Sequence, residues 1–115
     1  MDDFYCTQIL SGKTEVDILF ETERILAYWH TNPYWEAHVV IIVKEHVESL
    51  VTYAGTAEAH ADFFAALQRV VRQLTEQYGG CRVCSNVGNY QTTKHLHWYV
   101  HAGKRLRTEA GKPIA

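Results

Sequence analysis

The sequence predicts an α+β fold, in which an antiparallel sheet of about five strands packs against one long helix and a short helix lies at the N-terminus. Three observations predict this class. The elements follow the order helix, three strands, long helix, two strands. One segment carries a long apolar stripe at helical spacing. The links between neighbouring strands are short, which suits antiparallel pairing.

The first elements are a short helix and a strand pair. Residues 2–10 carry apolar side chains at helical spacing, and Gly12 after them can take the left-handed conformation that ends a helix. Two β-prone runs follow at residues 16–20 and 24–29, and the polar residues between them predict a hairpin. A loop then begins at Asn32-Pro33, because proline restricts its own backbone and that of the residue before it.

The remaining elements are a central strand, the long helix and two final strands. Residues 37–43 are a continuous β-branched run, which predicts a central strand buried on much of both faces. Thr56 is a suitable N-cap for the long helix, and Gly79-Gly80 ends it. The apolar stripe of this helix consists of Phe63, Leu67, Val70, Val71, Leu74 and Tyr78. Final strands are predicted at residues 81–86 and 95–101, with a polar loop between them.

Composition indicates an ordinary globular protein, and at 115 residues we expect one domain over residues 1–115. Hydrophobic residues make up 47% of the chain and charged residues 21%, which excludes disordered and low-complexity classes. The net charge is -2, and basic residues cluster only mildly, at Lys104, Arg105 and Arg107. This distribution argues against a binding surface for extended nucleic acid.

Hydropathy and cysteine content predict a cytoplasmic protein without a membrane partner. The longest apolar run, residues 39–43, is far shorter than the ~20 residues that span a bilayer, and the acidic start of the chain lacks signal-peptide character. Three cysteines, an odd number, argue against a disulfide framework. Cys81 and Cys84 form a C-x-x-C string, which is also typical of redox and zinc sites. Residues three apart on a strand face opposite ways, so we interpret the pair as small apolar side chains.

Histidines are concentrated on the last predicted strand, where His95, His97, Tyr99 and His101 alternate with apolar residues. Side chains that alternate along a strand share one face, with ~6.6 to 7 Å between neighbours. Imidazoles at this spacing can converge on one phosphate-sized group. The pattern alone leaves two other interpretations open. One is a solvent-facing strand with a structural histidine network, and the other is a metal site completed by ligands from elsewhere, since collinear ligands cannot form a tetrahedron.

Three motifs, in order, resemble the histidine-triad (HIT) superfamily. The string QTTKHLHWYV at residues 91–100 is similar to its signature, in which Gln-Ser/Thr precedes a His-x-His-x-His strand. The string PYWEAHVVIIVKEH at residues 33–46 resembles its segment of proline, histidine, apolar strand, lysine and second histidine. The string CSNVG at residues 84–88 resembles its asparagine-glycine strand end. The resemblance implies a HIT-like fold. Within the superfamily, the sequence most resembles the bacterial, Hint-like branch.

The resemblance also implies roles for individual residues. The middle histidine of the triad is the nucleophile in this superfamily, which assigns attack on a nucleoside α-phosphorus to His97. Neutral imidazole is basic near pH 7, and a phosphoimidazole is labile to water. The resemblance places His38 and His95 in the surrounding phosphate network and the Thr92 hydroxyl near the leaving group. It implies contacts with phosphate or sugar for Asn86 and Gln91. No cofactor is required for this chemistry.

Two positions depart from the family pattern. Tyr99 stands at the third triad position, where a phenol donates a hydrogen bond but cannot become a cation at neutral pH. Losing one such donor typically costs ~10² to 10³ in turnover, so we expect slow catalysis or tight binding with little turnover. His30 stands where many nucleotide-binding members carry an acidic residue that grips the ribose hydroxyls. Aromatic residues that could line a base pocket are Tyr28, Trp29, Tyr34 and Trp35, although core packing is the more common role.

The resemblance leaves a structural zinc site open. Some bacterial members hold zinc with two N-terminal cysteines, the histidine after the lysine, and the first triad histidine. The matching positions here are Asp3, Cys6, His46 and His95. Aspartate replaces one thiolate in this set, and a carboxylate can also ligate zinc.

The leading hypothesis is therefore a nucleotide-binding hydrolase or transferase that acts on a phosphoanhydride or phosphoramidate bond through a nucleotidyl-His97 intermediate. The alternative is a non-catalytic nucleotide sensor or interaction module, and a structural zinc protein is a third option. The expected partners are a small nucleotide and a second copy of the chain. The resemblance implies a homodimer that pairs the long helix and a sheet edge across a two-fold axis.

Overall fold

The computed structural model describes residues 3–114 and confirms the predicted α+β class, with one five-stranded antiparallel sheet and one long helix. The strands are β1 (Asp17–Glu21), β2 (Ile25–Trp29), β3 (Trp35–Val43), β4 (Arg82–Cys84) and β5 (His97–Arg105). Their spatial order is β1-β2-β3-β5-β4, so the two longest strands lie side by side in the middle. The predicted hairpin and the predicted central strand are both confirmed.

The N-terminal helix is shorter than predicted. It is a single π-helical turn, Tyr5–Ile9, which ends where the N–H of Leu10 donates to the Tyr5 carbonyl at 2.7 Å. The predicted start at residue 2 lies outside the described residues. Gly12 follows with φ 79°, the left-handed conformation expected after a helix. The turn packs on the sheet through an apolar cluster of Tyr5, Ile9, Leu26, Tyr28, Val40 and Ile42.

The long helix α1 (Ala57–Tyr78) covers the opposite face of the sheet. The Thr56 hydroxyl accepts the N–H of Ala59 at 3.1 Å, and Gly79 has φ 80°, so both predicted ends are confirmed. Phe63, Ala66, Val70 and Leu74 are buried against the sheet. The prediction that Tyr78 belongs to the apolar stripe against the sheet is wrong. Tyr78 is 43% exposed because it is the last residue of α1. Neither helix among the described residues is long and apolar enough to cross a membrane.

The last strand is shifted from its predicted range of residues 95–101. It begins at His97, because the N–H of Leu96 bonds to the Val47 carbonyl at 2.6 Å instead of to a neighbouring strand. It then continues to Arg105, pairing with β3 from Ile42 opposite His97 to Trp35 opposite Arg105. The alternation survives this shift. Leu96 and Val100 belong to the core under α1, while His97 and Tyr99 lie on the other face. We call that second face the triad face.

The C-terminal residues fold back on the loop before β3. Arg107 pairs with Pro113 in an isolated bridge, which closes a small hairpin. The N–H of Leu106 donates to the Tyr34 carbonyl at 2.7 Å, and Arg107 Nε donates to the Pro33 carbonyl at 3.1 Å. The hairpin therefore fixes the loop that leads into β3.

Candidate active site on the triad face

His97 is the first residue of β5, and its imidazole is held by one backbone atom. Nδ1 lies 2.7 Å from the carbonyl oxygen of His95, and since a carbonyl only accepts, Nδ1 must carry the proton. The neutral ring then has its lone pair on Nε2. Among residues 3–114 no hydrogen-bond partner lies at Nε2, so this nitrogen is unpaired within the described part of the chain. Burial lowers the pKa of His97, which keeps the ring in this neutral form.

Two tyrosines flank the His97 ring. The ring centres of Tyr5 and His97 are 4.9 Å apart, and those of Tyr99 and His97 are 5.0 Å apart. The residue His97 is only 3% exposed as a consequence. Burial raises the pKa of both phenols, so each stays a neutral hydrogen-bond donor. The site therefore offers a basic nitrogen in a narrow aromatic setting.

His38 on β3 lies across the triad face from Tyr99, with 5.1 Å between the ring centres. Its Nδ1 accepts the N–H of Tyr34 at 3.0 Å, so the proton of the neutral ring lies on Nε2. Nε2 is fully enclosed and has no hydrogen-bond partner in the described part of the chain. Burial, with smaller contributions from His30 and His101, lowers the pKa of His38 to about 3. The site thus contains a neutral, unpaired N–H donor.

His30 follows β2 and stacks on His38, with ring centres 4.3 Å apart and planes 18° apart. Its Nδ1 accepts the N–H of Asn32 at 2.9 Å, and burial lowers its pKa. Tyr28, in contrast, is 3% exposed and belongs to the apolar cluster beneath the N-terminal turn. The structure brings His30 to the triad face and places Tyr28 in the core, where burial raises its pKa.

The loop between β4 and β5 carries the remaining predicted residues. Asn86 is half-buried two residues beyond Cys84, which pairs with Tyr99 on β5. Gln91 is buried, and its amide group is used within the protein: it donates to the Glu48 carbonyl at 2.8 Å and accepts the N–H of Gly88 at 3.1 Å. These contacts brace the loop. The Thr92 side chain is exposed. The roles of these three residues toward phosphate stay predictions.

Four residues beside the triad face form a compact cluster of metal-ligating atoms, and they are the four that the sequence resemblance marks. One ligand atom from each of Asp3, Cys6, His46 and His95 lies within 4.8 Å of all the others. Asp3 Oδ2 lies 2.5 Å from His95 Nδ1 and 2.6 Å from His46 Nδ1. Cys6 Sγ lies 3.5 Å from His95 Nδ1 and 3.7 Å from His46 Nδ1.

The chemistry of this cluster fits a tetrahedral cation. His95 Nε2 lies 2.8 Å from the Val43 carbonyl, which only accepts, so a neutral His95 presents its lone pair at Nδ1 to the Asp3 carboxylate. Two acceptors at that distance require a proton or a cation between them. Ligands of a tetrahedral zinc stand about 3.3 to 3.8 Å apart, as the Cys6 distances do, while the Asp3 oxygen would have to withdraw by several tenths of an ångström.

The ionisation of the two N-terminal ligands is shifted in opposite directions. Burial acts to raise the pKa of Asp3, but hydrogen bonds and charge from His95, together with the Cys6 N–H and His46, lower it overall. Burial and the neighbouring Asp3 carboxylate raise the pKa of the Cys6 thiol. The aspartate is therefore ready to bind a cation, and the thiol has to lose its proton on binding.

Sequence reasoning missed two residues that shape the site. In the sequence, Tyr5 is one apolar residue of the predicted N-terminal helix, yet its ring lies against His97. Its position between Asp3 and Cys6, which the resemblance groups with His95, could have indicated that it lies near the triad. Ser85 was also missed, although it precedes Asn86. Its hydroxyl donates to the His97 carbonyl at 2.7 Å and so ties the end of β4 to the start of β5.

Comparison with known proteins finds one matching family and several similar proteins. The family described as HIT domain matches residues 11–106. The chain is similar to a 13.2 kDa HIT-like protein of Azospirillum brasilense, with 34% identity over 86% of this chain and 84% of that one. It is 27% identical to a 14 kDa zinc-binding protein of Zea mays, over 90% of this chain and 84% of the relative. A HIT family hydrolase from Clostridium thermocellum has a similar structure, with a TM-score of 0.70, 26% identity, and coverage of 94% of this chain and 96% of that one.

Proposed function

Because this chain belongs to the HIT domain family, we propose that it binds a small nucleotide and acts as a hydrolase or transferase at a nucleoside α-phosphate, through a nucleotidyl-His97 intermediate. One observation carries the proposal. His97 has its proton fixed on Nδ1 by the His95 carbonyl, and its Nε2 lone pair has no partner among the described residues. The similar hydrolase from Clostridium thermocellum supports the same class of reaction.

The proposed reaction has two steps. The Nε2 lone pair forms a bond to the α-phosphorus, and the bond from phosphorus to the leaving group breaks, so that the leaving group departs with the electron pair. Water then attacks the same phosphorus, the phosphorus–Nε2 bond breaks, and the neutral imidazole is restored, while the proton lost by the water passes to solvent. For an amine leaving group a proton must be delivered to nitrogen, and the exposed Thr92 hydroxyl is the residue implied near that position.

Neutral donors around His97 would stabilise the phosphoryl oxygens. The Tyr99 phenol, whose ring centre lies 5.0 Å from that of His97, stays protonated because burial raises its pKa. The Nε2–H of His38 is fully enclosed, so it would reach a phosphoryl oxygen only after the residues around it had moved. Tyr99 stands where the superfamily pattern has a third histidine, so the site supplies hydrogen bonds without that positive charge. We therefore expect the reaction to be slow. The placement in the bacterial, Hint-like branch is part of this proposal.

A fluorogenic nucleoside phosphoramidate tests the proposal. The wild-type protein should release the fluorescent amine, and His97→Ala should reduce the rate to that of buffer. His60→Ala is a matched control, because His60 is exposed on α1 and away from the triad face. Acid quenching during turnover should trap a protein whose mass is increased by one nucleotidyl group. Equal rates for wild-type and His97→Ala protein would refute the enzymatic proposal.

A non-catalytic nucleotide sensor is the second candidate function. It is favoured by the tight enclosure of His97, which is 3% exposed between Tyr5 and Tyr99. Calorimetric titration with purine nucleoside monophosphates separates the candidates. Binding with no release of the fluorescent amine over hours would favour the sensor, and the wild-type release described above would exclude it.

We further propose that the cluster of Asp3, Cys6, His46 and His95 holds a structural zinc ion. The convergence of the four ligand atoms supports this, and a relative from Zea mays is a zinc-binding protein. The metal would tie the N-terminal turn to β5 and would leave the His97 chemistry to the imidazole alone. Metal analysis of purified protein tests this directly.

A homodimer completes the proposal. β4 is an edge strand whose three residues are all exposed, including Val83 at 40%. On the outer side of α1, Phe64 is 59% exposed and lies beside the partly buried Leu67 and Val71. Pairing of the β4 backbone edge and of the Phe64 surface across a two-fold axis would cover Val83 and Phe64, whereas Arg82 projects from the other side of the sheet, beside His101. Analytical ultracentrifugation should give a dimer that Phe64→Glu converts to a monomer. The cytoplasmic location and the single domain over residues 1–115 stay predictions.

A further inference from the structure

A polar cleft opens at the far end of β5 from His97. Its volume is about 520 Å³. The side chains that line it include Trp35, Arg82, His101 and Arg105. Trp35 is a base-pocket candidate from the sequence, and the other three have no role in the chemistry described above.

His101 is held rigidly at the wall of this cleft. It is 8% exposed, and its ring stacks on Trp35 with centres 3.6 Å apart and planes 14° apart. Neither ring nitrogen has a hydrogen-bond partner in the described part of the chain, and neither is fully enclosed. His101 thus lines the cleft with an imidazole whose nitrogens have no partner among the described residues. These nitrogens are therefore available to a ligand without breaking a hydrogen bond within the described part of the chain.

Two arginines line the cleft with His101, and the nearby Glu36 carboxylate is engaged by the N–H of Lys104. Arg82 lies directly opposite His101 across the β4–β5 pairing. The Arg105 guanidinium lies 5.1 Å from the centre of the Trp35 ring, and its Nε donates to the Arg107 carbonyl. Within residues 3–114 neither arginine forms an ion pair with a carboxylate. Burial, and then the charges of Arg82 and Arg105, lower the pKa of His101.

We propose that Arg82, His101 and Arg105 form an anion subsite, which receives a phosphate or carboxylate group on the leaving portion of the substrate. This inference rests on the proposed function, in which the α-phosphate lies at His97. Four residues of strand separate His97 from His101, or about 13 Å, and the long arginine side chains can shorten that span. Guanidinium groups bind such anions through paired N–H donors, and the anion would favour a protonated His101 as a further donor.

Titration with inorganic phosphate tests the subsite without any turnover. In a His97→Ala background, the ring signals of His101 should shift on phosphate addition in NMR spectra at low salt. Arg82→Gln and Arg105→Gln should each raise the dissociation constant at least tenfold. Arg69→Gln removes one guanidinium on α1, behind the sheet, and should leave that constant unchanged. An unchanged constant in both cleft variants would overturn the proposal.

A matched pair of nucleotides tests whether the leaving portion of the substrate reaches the anion subsite. Both compounds are nucleoside phosphoramidates of the same length. The leaving amine ends in a phosphate in one and in a hydroxyl in the other, and each is titrated into His97→Ala protein. The phosphorylated compound should bind at least tenfold more tightly, and Arg82→Gln should abolish the difference. Equal binding would overturn the assignment to the leaving portion. If neither compound binds, the proposed function fails, whereas a successful phosphate titration would still support the anion subsite.

Discussion

The His97 imidazole donates from Nδ1 to the carbonyl oxygen of His95, 2.7 Å away. The acceptor is a backbone atom, so this hydrogen bond does not depend directly on which side chain stands at position 95. That side chain is directed into the cluster with Asp3, where Nδ1 lies 2.5 Å from Oδ2. One residue therefore contributes its carbonyl to the triad and its imidazole to the candidate metal site.

Restoring a histidine at position 99 should accelerate turnover. Tyr99→His supplies a group that can carry positive charge next to the phosphoryl oxygens, and a donor of this kind is worth ~10² in turnover. The measurement is the kcat for a fluorogenic phosphoramidate. Tyr99→Phe, which removes the hydroxyl alone, should slow the wild-type reaction. A rate for Tyr99→His at or below that of wild type would contradict the role given to this position.

Zinc should bind the N-terminal cluster with one ion per chain. Cys6→Ala and Asp3→Ala should lose that ion, while Cys81→Ala, a free cysteine outside the cluster, should retain it. Because a ligand of the native state stabilises it, Tm should rise with zinc and fall with a chelator. Asp3→Cys should bind more tightly, since it restores a second thiolate. A Tm that zinc leaves unchanged in every variant would exclude a structural role.

Acid should destabilise the fold through His38. Its folded pKa of about 3 is below the ~6.5 of an unfolded histidine, so the unfolded chain binds more protons between these values. The stability from the neutral ring is complete above about pH 6.5 and declines as pH falls toward 3, by up to about 1.4 kcal/mol per pH unit.

Urea unfolding between pH 4 and 7 should show this decline, and His38→Gln should show a shallower one. Some slope will remain in the variant, because burial also lowers the pKa of His30 and His101 on the same face. Parallel profiles for wild-type and His38→Gln protein would exclude His38 as the source of the acid sensitivity.

Truncating a core residue of α1 should weaken the fold without touching the triad face. Leu74 is completely buried between α1 and the sheet, and a buried Leu→Ala change typically costs about 2 to 5 kcal/mol. Leu50→Ala is the control, because Leu50 is 45% exposed and should change stability by about 0.5 kcal/mol or less. Urea denaturation gives both values. A similar loss in the two variants would show that burial against α1 does not account for the effect.

The sequence predicted much of the fold, because two periodicities are local properties of the chain. Alternation placed His97 and Tyr99 on one face, and the helical stripe placed Val70 and Leu74 under the sheet. The start of β5 could not be predicted in this way. It is set by the bond from Leu96 to Val47, a contact between residues far apart in sequence.

The candidate site was predictable in its residues and less so in its hydrogen bonds. The resemblance marked Asp3 and Cys6 as neighbours of His95, and the four ligand atoms do converge. No pattern in the sequence indicates that the Tyr34 N–H fixes the His38 tautomer, since this depends on a turn of the backbone. For the same reason, the closure of Tyr5 over His97 appears only once the N-terminal turn has docked on the sheet.

The C-terminal hairpin contacts the backbone segment that sets the tautomer of His38. Leu106 and Arg107 bind the carbonyls of Tyr34 and Pro33, and the N–H of Tyr34 in turn binds His38. A bulky fusion or cleavage near residue 106 would consequently disturb proton placement on an imidazole about seventy positions earlier in the sequence. Affinity tags for this protein are better attached where they leave that connection intact.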